Sequence, residues 1–217
     1  MTGDVIKVNI LATRVIANVS EAIAQQLGLP QDYRSIGIIT TDCDDATYCA
    51  LDEATKKSQV SVVYGKSLYA GAANASTKYA GEVIGILAGP NPSEVSSGLQ
   101  AAVDFLESGV GFVSANEDDS VVYFAHTVSR TGSYLSQGAG VREGEALAYL
   151  IAPPLEAVQG LDEAMKAADV RLAVLYEPPS ETNYGGGLLT GTQSACQAAC
   201  AAFAQTVRDV AARPREV

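Results

Sequence analysis

The chain spells one phrase twice, LDEATKKSQV from Leu51 and LDEAMKAADV from Leu161. A chain of 217 residues that repeats itself at half-length is constrained to two related domains of about a hundred residues each. The repeat runs on past the phrase. Each copy places a lysine two residues after LDEA, Lys56 and Lys166, and opens an apolar alternation at Val60 or Val170, VSVVYG in one and VRLAVLY in the other. That pattern is a helix followed by a strand.

Each strand then enters a stretch of small residues of unequal length, KSLYAGAANASTKYAG in the first copy and PPSETNYGGG in the second. A further strand and helix follow, EVIGILAGPNPSEVSSGLQAAVDFLE and GLLTGTQSACQAACAAFAQTV. Asn91, ahead of Pro92 and Glu94, is placed to cap the first of these helices, with Glu94 reaching back. Thr190 with Gln193 makes the analogous capping box for the second. A weaker echo precedes each unit, ATRVIANVSEAIAQQLGL in one half and AHTVSRTGSYLSQGAGV in the other. The polar stretch from Ser114 to Ser120 lies between apolar runs and places the junction there, giving domains 1–113 and 114–217. Strands interleaved with a few helices in domains of this size predict an α+β fold, helices packed on a mostly antiparallel sheet, with a continuous parallel sheet the weaker alternative.

Charge and composition remove several function classes. A formal net charge of −11 opposes a nucleic-acid partner, which requires clustered lysine and arginine. No uncharged apolar run reaches the roughly 18 residues of a membrane span, and the first residues lack the basic and apolar segments of a secretion signal. The expectation is a cytosolic protein. Four cysteines, Cys43, Cys49, Cys196 and Cys200, lie in or near Ala-rich helical patterns and are expected to be reduced thiols packed as small hydrophobes.

Catalytic chemistry is not advertised. YGKS at Tyr64 resembles the end of a phosphate loop, but the motif demands glycine where Val60 stands. The glycines of YGGGLLTG are read as a flexible loop rather than a nucleotide site. His126 is the only histidine, which excludes a site built on two imidazoles, and no GxSxG nominates a nucleophile. We therefore expect no enzyme, no metal and no cofactor. The acidic stretch TDCDDATY carries two readings. Asp44 or Asp45 caps the helix that begins there, or the pair, completed by Glu82 and Phe112, forms a small site for an ammonium group. Lys56 and Lys166, near helix C-termini, are either solvated dipole partners or the marks of a surface used twice.

Several phrases occurring in order resemble one family: SLYAGAA, AGEV, GPNP, VSRTGSYLS, APPLEA, SETNY and LTGTQSAC. Together with LDEAMKAADVRLAVLY, they are similar to the L-type shell proteins of ethanolamine-utilisation bacterial microcompartments, over essentially the whole chain. The resemblance implies two tandem, circularly permuted shell domains, a homotrimer that imitates a hexagonal tile, and other shell proteins as neighbours in a compartment of the bacterial cytoplasm. Lys56 and Lys166 match the family's tile-edge lysine. The stretches Ser67 to Gly81 and Ser180 to Gly187 match loops around a gated central pore, which places Tyr69, Ala70, Gly71, Thr182, Asn183, Tyr184 and Gly185 at that pore. Ethanolamine is the implied ligand of Asp44, Asp45 and Glu82. Neither loop contains cysteine, so a cluster-bearing pore is not implied. The competing reading is a soluble small-molecule sensor built from paired α+β domains, which would not tile.

Overall fold

The computed structural model describes residues 1–67, 82–180 and 183–215, and the chain forms two compact units. The first unit is Val8–Val110 with Gly132–Leu135; the second is Met1–Lys7, Gly111–Thr131 and Ser136–Val217. Backbone pairing explains why the extreme N-terminus joins the second unit: Gly3 N–H donates to Ser114 O at 2.8 Å, Ser114 N–H to Asp4 O at 2.9 Å and Ile6 N–H to Phe112 O at 2.7 Å.

The first unit runs β1 (Ile10–Ile16), α1 (Glu21–Gln26), β2 (Ser35–Thr41), α2 (Asp44–Lys57), β3 (Ser61–Ser67), β4 (Val83–Gly89) and α3 (Pro92–Glu107). Its sheet has the order β1-β2-β4-β3 with antiparallel neighbours throughout. Alternation sorts the central strands between two faces. Ile36, Ile86 and Ala88 pack with Val19 and Ala24 beside α1. On the opposite face a Cβ at Gly37 would meet Val95 and Leu99 of α3, and one at Gly85 would meet Leu51 of α2. Glycine therefore lets the LDEA helix lie close against the sheet.

The second unit runs β5 (Val113–Ser114), β6 (Val122–Val128), α4 (Ser133–Ala139, whose first turn groups with the first unit), β7 (Ala146–Ala152), α5 (Pro154–Ala167), β8 (Val170–Tyr176), β9 (Gly185–Gly191) and α6 (Gln193–Ala212). Its sheet, β5-β6-β7-β9-β8, is likewise antiparallel. Ala146, Ala148, Leu150 and Leu189 bury against Leu161 and Ala164 of α5 and against Cys196, Ala199 and Phe203 of α6. The expected α+β architecture of helices on antiparallel sheets is present in both units.

The repeat is reproduced in fine detail. The β3–β4 ladder slips between Val62 and Tyr64, and the β8–β9 ladder slips at the matched residues Leu172 and Val174. Helices α1 and α4 both end on a left-handed glycine, Gly28 at φ 63° and Gly140 at φ 62°. In each the following N–H returns to the helix, Leu29 to Ala24 O and Val141 to Ser136 O, both at 3.0 Å, the arrangement that satisfies a helix's last carbonyls.

Helix starts follow the sequence in part. The Asn91 side chain accepts from Glu94 N–H at 3.0 Å as expected, but the Glu94 carboxylate accepts from Gln59 N–H at 2.7 Å instead of reaching back. Thr190 is not the cap of α6. It is a β9 residue whose hydroxyl donates to Ala146 O, and Thr192 caps the helix by accepting from Ala195 N–H at 3.2 Å. Nor does Asp44 or Asp45 cap α2: the N-cap residue is Cys43, without a side-chain cap, and both aspartates occupy the first turn. Among the described residues no helix is long and apolar enough to cross a membrane.

Candidate functional site

The two lysines of the repeated phrase sit in the last turns of α2 and α5, where a cation offsets the negative end of the helix. Each is held by the Asp and Glu of its own LDEA. Lys56 Nζ is 3.5 Å from Asp52 Oδ2 and pairs with Glu53. Lys166 Nζ lies 2.5 Å from Asp162 Oδ2 and 3.1 Å from Glu163 Oε1. Hydrogen bonds that Lys166 donates to these carboxylates, Asp162 foremost, hold it above the ordinary lysine range, so it keeps its charge. An open groove between paired helices is also matched in each unit. One, of about 580 Å³, lies between α2 and α3 and is lined by Glu53, Lys57 and Asp104. The other, of about 340 Å³, lies between α5 and α6 and is lined by Glu163, Asp209 and Arg213.

Sheet register gathers the acidic residues. The last β2–β4 pair is Thr41 with Val83; α2 opens with Asp44 and Asp45 just past Thr41, and Glu82 immediately precedes Val83. The three carboxylates therefore belong to one end of the first unit's sheet. Asp44 and Asp45 are buried, and Asp44 Oδ1 accepts from Asp45 N–H at 2.9 Å. Asp42, which the sequence reading did not single out, is engaged by Asn9: its carboxylate accepts from Asn9 N–H at 2.8 Å and from Asn9 Nδ2 at 2.6 Å. Phe112 belongs to the second unit, where it is buried.

There Phe112 joins a group of rings on the sheet face turned away from α5 and α6. Its centroid is 5.7 Å from that of Phe124 and 5.6 Å from that of Tyr184, while Phe124 meets Tyr149 edge-on at 5.4 Å and His126 at 5.8 Å. Such tilted and edge contacts are the favoured arrangements of aromatic pairs. His126 was weighed in the sequence only as a metal ligand or as the base of a catalytic triad. Its partners became visible once β6 and β7 paired. Of the residues expected in the pore loops, Asn183 is exposed, Tyr184 is buried in this aromatic group and Gly185 is the first residue of β9. Tyr69, Ala70, Gly71 and Thr182 lie outside the described residues. The glycines read as a flexible loop, Gly185, Gly186 and Gly187, are instead buried strand residues held by close β9 pairing.

The cysteines behave as packed hydrophobes. All four are free and buried. Burial pushes the thiols of Cys43 and Cys49 well above the usual range, with the neighbouring aspartates adding to the effect. Burial likewise raises Cys196 and pushes Cys200 up to about 11. Since only a thiolate attacks a disulfide reagent, the native protein at pH 8 should release almost no colour with a chromogenic disulfide. Four equivalents should appear only after unfolding in guanidinium. A fast native phase of even one equivalent would show an open thiol. Among the described residues no group of three or more His, Cys, Asp or Glu side chains is arranged to hold a metal ion.

Comparison with known proteins places this geometry. The BMC domain family matches residues 35–120. The chain is 64% identical to the bacterial microcompartment shell protein EutL of Clostridium perfringens, covering 99% of each chain. It is 54% identical to EutL of Salmonella typhimurium, over 97% of this chain and 96% of that one. Among solved structures, the ethanolamine utilization protein EutL of Leptotrichia buccalis superposes with a TM-score of 0.96 at 66% identity, covering 100% of both chains. EtuB of Clostridium kluyveri, at 22% identity and a TM-score of 0.80, shares the fold.

Proposed function

Because this chain belongs to the EutL family of bacterial microcompartment shell proteins, we propose that it acts as a homotrimeric, pseudohexagonal tile with a gated pore on its threefold axis. The tile is a structural part of the shell that encloses ethanolamine utilisation in the bacterial cytoplasm. The observation that carries this reading is the fidelity of the repeat: the same bulge, the same helix-ending glycine and the same lysine held by the same two carboxylates occur in each half. Two such halves in each of three chains give six similar edges, the number a hexagonal layer requires, and closed threefold symmetry supplies the rest.

Lys56 and Lys166 act at those edges, against other copies and other shell proteins. In the stretches 67–81 and 180–187, rich in Gly, Ala, Ser and Tyr, the parts ahead of β4 and β9 border the pore and gate it for a metabolite or cofactor. Electron microscopy of the purified protein should show hexagonal layers, and sedimentation should give three chains per particle. Small discrete particles that never form layers would favour the paired-domain sensor instead. A monomer would overturn the tile outright.

Ethanolamine is the ligand of the acidic end of the first unit. Its ammonium group is met by Asp44, Asp45 and Glu82. Binding moves the gate only to the extent that ethanolamine binds its two states unequally. Titration calorimetry on Asp45→Ala should lose the binding heat; undiminished binding would remove Asp45 from the site.

A further inference from the structure

We draw no further inference here: the strongest candidate, the open groove of about 580 Å³ between α2 and α3 with Ala101 and Phe105 among its lining and Glu53, Lys57 and Asp104 beside them, carries nothing, because its charges are of both signs and nothing in the structure shows what covers it.

Discussion

Replacing Asp52 by alanine should destabilise the protein by about 3 kcal/mol, because the N–H groups of Gly132 and Leu135, which donate to the buried Asp52 carboxylate at 2.7 and 2.8 Å, lose a charged acceptor and an unsatisfied buried donor costs about 1–3 kcal/mol. Lys56 loses one of its two carboxylate neighbours but keeps Glu53, so it adds little to that figure. For a chain of this size the melting temperature should fall by roughly 10 °C, readable by circular dichroism. Asp52→Asn should fall about halfway, since its amide oxygen accepts one N–H and its NH2 faces the other. Asp162→Ala is the informative contrast. This exposed residue should matter by about 0.5 kcal/mol or less. Equal losses at both positions would mean that the two aspartates do not differ in burial.

That contrast marks where the sequence stops being informative. LDEA at Leu51 and LDEA at Leu161 are the same letters, so the helix and the lysine near its C-terminal end were legible in both copies. Whether the aspartate is buried is decided by Gly132–Leu135, some eighty positions away, and no local pattern carries that information. The capping errors have a similar origin. Thr190 and Gln193 satisfy the capping-box spacing, yet Thr190 pairs with Leu147 and Arg171 inside the sheet, and ladder pairing overrides the local signal. At α2 the expected Asp cap is replaced by a threonine arrangement: Thr41 Oγ1 accepts from Cys43 N–H at 3.2 Å and lies 2.6 Å from Thr47 Oγ1. This leaves Asp44 and Asp45 in the first turn, where negative charge is still favoured. The gathering of those two with Glu82 was legible only as a list. The Thr41–Val83 pairing brought them to one end of the sheet.

Gly186→Ala should be the most damaging single-methyl change in the second unit, costing more than about 4 kcal/mol, beyond the range of ordinary substitutions. Two effects add there. Its φ of 156° is one that side-chain-bearing residues rarely adopt, and an added Cβ would lie 1.9 Å from Leu150 O and 2.9 Å from Ile151 Cα. A backbone oxygen cannot withdraw as a flexible side chain does, so β9 would have to leave β7. Gly3→Ala isolates the first effect, because Gly3 also has a positive φ, of 92°, but nothing stands within 4 Å of its Cβ position; it should cost only about 1 kcal/mol. The neighbours are constrained too, since a Cβ at Gly187 would stand 2.6 Å from Val174 O and one at Gly185 would stand 2.8 Å from Pro178 Cβ. The glycine run is therefore needed for close strand pairing, and it fixes the base from which Tyr184 reaches into the aromatic group. Urea unfolding followed by circular dichroism should separate the two alanine variants widely. A Gly186→Ala protein that unfolds within about 1 kcal/mol of the parent would show that β9 does not pass β7 this closely.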